Sequence, residues 1–249
     1  MAYFNGTIHS ETLGMMTDIA VVIPDNGARR DSNGDYPVLF LLHGLSDNHT
    51  AWSRRTMLDL YAEETGVAVV MPEVQRGFYQ NMDYGLLYFD FIANELPVVC
   101  NKLFRTTLDP AATFVAGLSM GGYGALRCAL TYPERYAAVG CSSSVTDLSR
   151  FSKDNPCSLS EAEKVSLFGD NGPTADEDVF SLAAKLDKPL PIYQVCGNRD
   201  FLLEDNRRFH EHLTTLGVDH VYEEWDGAHE WRFWNAAIEK FLHFFAQKL

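Results

Sequence analysis

Long apolar runs are missing from this chain of 249 residues. No segment approaches the roughly 20 residues that a membrane-crossing helix needs. The opening Met1-Ala2-Tyr3-Phe4-Asn5-Gly6-Thr7 has neither the basic nor the apolar part of a secretory leader. Positive charge is scarce: 20 Lys and Arg stand against 34 Asp and Glu, a net charge of −14. That balance repels phosphate backbones and anionic lipid, so neither nucleic acid nor a membrane is an expected partner. Cysteine is sparse, with Cys100, Cys128, Cys141, Cys157 and Cys196 scattered, odd in number and without a C-x-x-C pair. This excludes a disulfide framework, and most of the five lie in apolar segments. Buried free thiols in a reducing, cytoplasmic setting are therefore expected. No repeat and no linker divides the chain, so 1–249 is read as a single domain.

Hydrophobic residues make up 46% of the chain, enough for a sizeable core. Tyr3 to Glu11 and Met16 to Pro24 alternate as two antiparallel strands meeting near Gly14. Buried strands are expected at 36–42, 67–71, 113–118, 136–141 and 191–196, and a last strand at 220–225. Helices are expected at 54–65, at 86–104 with Pro97 starting a new helix or a kink, after the 113–118 strand, at 202–216 and at 231–249. Strands alternating with helices imply a mostly parallel sheet with helices on both faces, an α/β fold. The polar stretch 142–190, with helical patches at 161–167 and 176–186, reads as a small cap-like insertion over the carboxyl edge of the sheet.

One stretch organises the rest. Thr113-Phe-Val-Ala-Gly-Leu-Ser-Met-Gly-Gly-Tyr-Gly-Ala-Leu126 runs from strand to helix through Gly117-Leu118-Ser119-Met120-Gly121. This is a G-x-S-x-G pattern, which sets a serine on a sharp turn above the sheet edge. A serine hydroxyl is a weak nucleophile and needs a base, with a third group to orient that base. On such turns the chain order is serine, acid, histidine. Asp200 follows the strand ending at Cys196, and His229 follows the strand ending at Trp225. They are the expected orienting acid and general base for Ser119. The rival acids are Glu204, Asp205 and Asp226; the first two suit the start of a helix without catalysis. His210, His212, His220 and His243 lie on or beside helices. His43 precedes the serine and reads as structural. The two amides expected to hold an oxyanion are those of Met120, directly after the nucleophile, and Leu45, after an early strand.

Leu42-His-Gly-Leu-Ser-Asp-Asn48 with Trp52, the Gly117–Ala125 stretch, Cys196-Gly197 with Asp200-Phe201, and Gly227-Ala-His-Glu-Trp231 together resemble the esterase D group of α/β-hydrolases. The tributyrin esterase branch is the nearest in pattern; feruloyl and acetyl-xylan esterases and S-formylglutathione hydrolases are related. The resemblance implies an α/β-hydrolase fold. It also implies a serine carboxylesterase, using Ser119, Asp200 and His229 with the Leu45 and Met120 amides, that needs no metal or cofactor. S-formylglutathione hydrolases carry Thr-Cys-Thr where this chain has Ser46-Asp47-Asn48. Short acyl esters are the expected small-molecule substrates, with acylated sugars, the glutathione thioester or acyl transfer as alternatives. Trp52, Tyr84 and Trp231 are candidates to line the pocket, with plain core packing the competing explanation. A homo-oligomer stays open.

Overall fold

The computed structural model describes residues 1–25, 29–148 and 159–249. Its strands are Ala2–Ser10 (β1), Met15–Ile23 (β2), Val38–Leu42 (β3), Ala68–Pro72 (β4), Thr113–Leu118 (β5), Ala138–Ser142 (β6), Ile192–Gly197 (β7) and His220–Trp225 (β8). Among the described residues they form one eight-stranded sheet in the order β1-β2-β4-β3-β5-β6-β7-β8. β2 is antiparallel to both of its neighbours, and every other pairing is parallel. β3, β4, β5, β6 and β7 are buried at every position, the expected state of strands covered on both faces. The helices are Ala51–Arg55 (α1), Leu58–Thr65 (α2), Tyr88–Asp90 (α3), Leu96–Phe104 (α4), Met120–Thr131 (α5), Glu161–Phe168 (α6), Val179–Ala184 (α7), Leu203–Leu216 (α8) and Trp231–Ala246 (α9).

Strand alternation sorts the core into two layers. Leu39, Leu41, Val69, Phe114 and Ala116 face Trp52 of α1, Leu58 of α2 and Phe241 and Phe245 of α9. Val38, Phe40, Val70, Val115 and Val139 face Leu96 of α4, Leu126 of α5, Leu182 of α7 and Phe209 of α8. This mostly parallel sheet with helices on both faces is the α/β-hydrolase arrangement.

Two helices depart from the sequence reading. The expected 54–65 helix is two, α1 and α2, separated by the extended Thr56 (φ −133°, ψ 172°). The Thr56 hydroxyl donates to Trp52 O at 2.7 Å, and Met57 N–H donates to the Asn235 side chain at 2.8 Å. A β-branched hydroxyl that bonds the preceding turn competes with the helix ladder. The expected 86–104 helix has a π-turn over Phe91–Glu95 before Pro97 enters α4. Proline brings no N–H for the carbonyl four residues back. That carbonyl, Ala93 O, accepts instead from the Arg135 guanidinium at 3.1 Å.

Residues 142–190 lead from the end of β6 towards β7. α7 packs on α5 and α8, and the α6 carbonyls of Ser166 and Leu167 accept from Tyr84 and Asp83 N–H at 3.0 and 3.4 Å. Residues 149–158, with Phe151 and Cys157, lie outside the described residues.

Candidate active site

Parallel strands carry their following loops to one sheet edge, and Leu45, Ser119, Asp200 and His229 all lie in or beside such loops. Ser119 leaves β5 and precedes α5 with φ 52° and ψ −117°, a backbone state that serine adopts only when its surroundings impose it. Two glycines make the turn feasible. A Cβ at Gly117 would collide with the Gly121 carbonyl, and one at Gly121 with the Leu42 carbonyl. The turn is tied down by Ser119 N–H donating to Ser142 O at 2.9 Å and Tyr123 N–H donating to Ser119 O at 3.1 Å.

Asp200 follows β7 in a tight turn closed by its own N–H on Gly197 O at 3.0 Å. Its side chain is fully buried. The carboxylate accepts Leu202 N–H at 2.9 Å and lies 3.0 and 3.1 Å from His229 Nδ1. Burial pushes the Asp200 pKa up, but the hydrogen bond and charge of His229, with Leu202 N–H and the Ser143 hydroxyl, outweigh it. The net shift is downward, and the acid stays ionised. A carboxylate can only accept, so Nδ1 carries a proton and Nε2 is turned away from Asp200. The His229 ring is wedged between Phe201, 4.5 Å away by ring centres, and Trp234, edge-on at 4.9 Å.

Ser119 and His229 line the same cleft of about 430 Å³, together with Leu45, Asp47, Phe201, Trp231 and Trp234. Ser119 is 3% exposed and opens onto this cleft. Leu45 sits on the loop after β3, and the backbone of Gly44 comes so close that a Cβ there would lie 3.8 Å from Ser119 Cβ. Met120 begins α5, so its N–H has no partner within the helix.

The structure thus brings Ser119, Asp200, His229, Leu45 and Met120 together. The rival acids have other partners. Asp226 is 79% exposed and pairs with Arg199 at 3.1 Å, Glu204 pairs with Arg207 at 2.8 Å, and Asp205 pairs with Arg208 at 3.0 Å. His210 and His220 contact each other at 2.7 Å, His212 contacts Phe180 O at 3.0 Å, and His243 contacts Glu239 O at 2.8 Å.

Of the three aromatic candidates, only Trp231 lines the cleft. Trp52 is fully buried, donates its indole N–H to Leu42 O at 3.1 Å, and packs edge-on behind Trp231 at 5.3 Å. Tyr84 is 63% exposed and lies against α6, where its carbonyl accepts from Ser166. Phe201 and Trp234 take their places. Both were within reach of sequence reasoning: Phe201 adjoins the acid, and Trp234 is one helical turn beyond Trp231. Ser143 carried no such signal. It adopts φ 48° after β6 and accepts the Trp234 indole N–H at 3.2 Å, beside Asp200.

Comparison with known proteins agrees in fold and chemistry. The sequence model of the Esterase family, described as "Putative esterase", matches residues 10–245. An acetyl esterase of Caldicellulosiruptor saccharolyticus is 31% identical over 96% of both chains. Fluorophosphonate-binding serine hydrolase F of Staphylococcus aureus superposes with a TM-score of 0.87 at 31% identity, over 98% of both chains. An S-formylglutathione hydrolase of the same organism superposes with a TM-score of 0.86 at 29% identity, again over 98% of both.

Proposed function

The chain belongs to the Esterase family and is a serine hydrolase of carboxylic esters, and on that premise we propose that Ser119 is its nucleophile, His229 its general base and Asp200 the orienting acid. The observation that carries this reading is the hydrogen bond that the buried Asp200 carboxylate accepts from His229, which lines the same cleft as Ser119. Ser119 Oγ attacks the acyl carbon while its proton passes to His229 Nε2. The new oxyanion takes hydrogen bonds from the Leu45 and Met120 amides, in a site where fixed dipoles need no reorganisation. Collapse of the tetrahedral centre expels the alcohol with the proton from His229 and leaves an acyl-serine. Water, deprotonated by the same histidine, releases the acid and restores the serine.

Short acyl groups suit the cleft. Its wall of Trp231 and Trp234 is backed by the fully buried Trp52, so a longer chain has no yielding surface behind it. Among the described residues of the 142–190 stretch, Leu159, Leu167 and Phe168 are themselves buried in the core and offer no surface to a lipid-binding lid. The glutathione thioester is the weaker candidate, on the Ser46-Asp47-Asn48 departure. The reading includes a reducing, cytoplasmic setting, supported, among the described residues, by the unpaired, buried thiols of Cys100, Cys128, Cys141 and Cys196. Among the described residues no helix is long and apolar enough to cross a membrane.

Hydrolysis of p-nitrophenyl acetate by purified wild type and Ser119→Ala tests the assignment. Loss on the order of 10⁴- to 10⁶-fold in kcat is expected, and retention of more than about a tenth of the rate would remove Ser119 from the mechanism.

A further inference from the structure

The loop that carries Leu45 begins and ends on a histidine, and one carboxylate touches both. Glu73, directly after β4, accepts the His49 backbone N–H at 3.0 Å, lies 3.0 Å from His49 Nδ1 and 3.3 Å from His43 Nε2. Gln75 N–H donates to the same carboxylate at 2.7 Å. Burial pushes the Glu73 pKa up, yet the hydrogen bonds and charge of His43, with those from His49, bring it down to about 2.

His43 is 1% exposed. Its Nδ1 lies 2.8 Å from Gly44 O, and a carbonyl can only accept, so Nδ1 is the donor. Val74 N–H donates to Nε2 at 3.2 Å, so both ring nitrogens are engaged, and the buried Tyr79 hydroxyl donates to His43 O at 2.9 Å. Gly44 O accepts a second bond, from Asp47 N–H at 3.1 Å. This carbonyl and the Leu45 N–H belong to one planar peptide unit. A donor fixed on the oxygen therefore fixes the direction of the N–H, and it also polarises the amide.

We propose that His43, held by Val74 N–H within the turn that Glu73 braces, aims and polarises the Leu45 amide, and is thereby a positioning residue of the oxyanion hole. The proposal rests on the acyl-serine reading with Leu45 as a donor, and it goes beyond the structural role expected of His43 from sequence. His43 never touches substrate. Its contribution is felt only when negative charge forms on the carbonyl oxygen, so it belongs to kcat and to the binding of oxyanion mimics, not to ground-state binding.

The test compares wild type, His43→Leu and His43→Asn by kcat and KM on p-nitrophenyl acetate, by Ki for a short trifluoromethyl ketone, which forms an oxyanion with the serine, and by thermal midpoint. Asparagine can offer an N–H near the position of Nδ1; leucine cannot. Deleting a whole oxyanion donor costs about 10²- to 10³-fold. A misaimed donor costs less, so His43→Leu is expected to lose about 10- to 100-fold in kcat. KM should change little, Ki should rise in proportion, and His43→Asn should recover most of both. A folded His43→Leu enzyme with wild-type kcat and Ki overturns the proposal. So does an equal loss in both variants, because that marks packing. Should His43→Leu fail to fold, Glu73→Gln takes its place: a kcat loss with a parallel rise in Ki supports the brace, and unchanged values overturn it. Ser119→Ala, run alongside, separates the two readings. Activity surviving there defeats the acyl-serine premise itself, whereas an inactive Ser119→Ala beside a fully active His43→Leu defeats only the role of His43.

Discussion

Asp200 and Asp226 are both aspartates in loops at the same sheet edge, and their surroundings differ. The Asp200 side chain is fully buried against His229, whereas Asp226 is 79% exposed on Arg199. Asp200→Asn, which can donate to the ring and so upset its tautomer, is expected to cost about 10³- to 10⁴-fold in kcat. Asp226→Asn should leave kcat at the wild-type level, and parallel kinetics on the two purified variants check this. Because the base must be unprotonated imidazole, kcat/KM should rise with pH through an apparent pKa near neutrality. A flat profile from about pH 5 to 8, with chemistry limiting, contradicts a histidine base. Stability has its own acid limb. The folded pKa of Asp200 lies below its usual 3.8, so its contribution is complete above that value and is lost as pH falls through the folded one. The difference in denaturation midpoint between wild type and Asp200→Asn should therefore shrink below about pH 4. The meeting of Asp200 and His229 was legible because each stands in a short loop directly after a strand. Trp52 was not, because an aromatic's choice between core and cleft depends on which neighbours cover it. The positive φ of Ser143 left no trace in the sequence either.

At the scale of elements, the strand–turn–helix unit around Ser119 was readable because its glycines have a steric necessity. Gly121 lets α5 sit directly on the end of β3, where a Cβ would overlap the Leu42 carbonyl. Gly121→Ala must push helix and strand apart. It should cost about 1–3 kcal/mol as an overpacked core site does, read as a thermal midpoint lowered by roughly 2–12 °C in a chain of this size, with esterase activity falling further. Gly6 on the edge strand β1 has nothing within 4 Å of a built Cβ. Gly6→Ala should stay within about 0.5 kcal/mol of wild type. Element order and type followed from periodicity, while breaks inside elements did not. The α1–α2 break depends on Asn235 capturing Met57 N–H from a distant helix. The π-turn before Pro97 is supported by Arg135, which closes on Ala93 O from another part of the chain. Partners this remote cannot be read from a local pattern.

Across the whole molecule, the sheet brings Leu45, Ser119 and His229 from three loops to one cleft of about 430 Å³ walled by aromatics, with Met120 next to Ser119 in the chain and Asp200 bonded to His229. Each added methylene contributes about 0.8 kcal/mol only where apolar surface waits to receive it. With Trp52 closing off the wall, kcat/KM on p-nitrophenyl esters should peak between acetate and butyrate and fall by octanoate. A feruloyl preference would show instead as stacking on Trp231 and Trp234, and a side-by-side series of acetyl, butyryl, octanoyl and feruloyl esters distinguishes the two. The net charge of −14 should keep the enzyme off anionic vesicles. The central claim is that the acyl group passes through Ser119, and it can be observed directly. Enzyme mixed with p-nitrophenyl acetate, quenched in acid within the first turnovers and mapped by peptide mass spectrometry should carry one acetyl group on the peptide containing Ser119, and none in Ser119→Ala. An acetyl group on another residue, or full turnover without any acetylated peptide, would contradict the account.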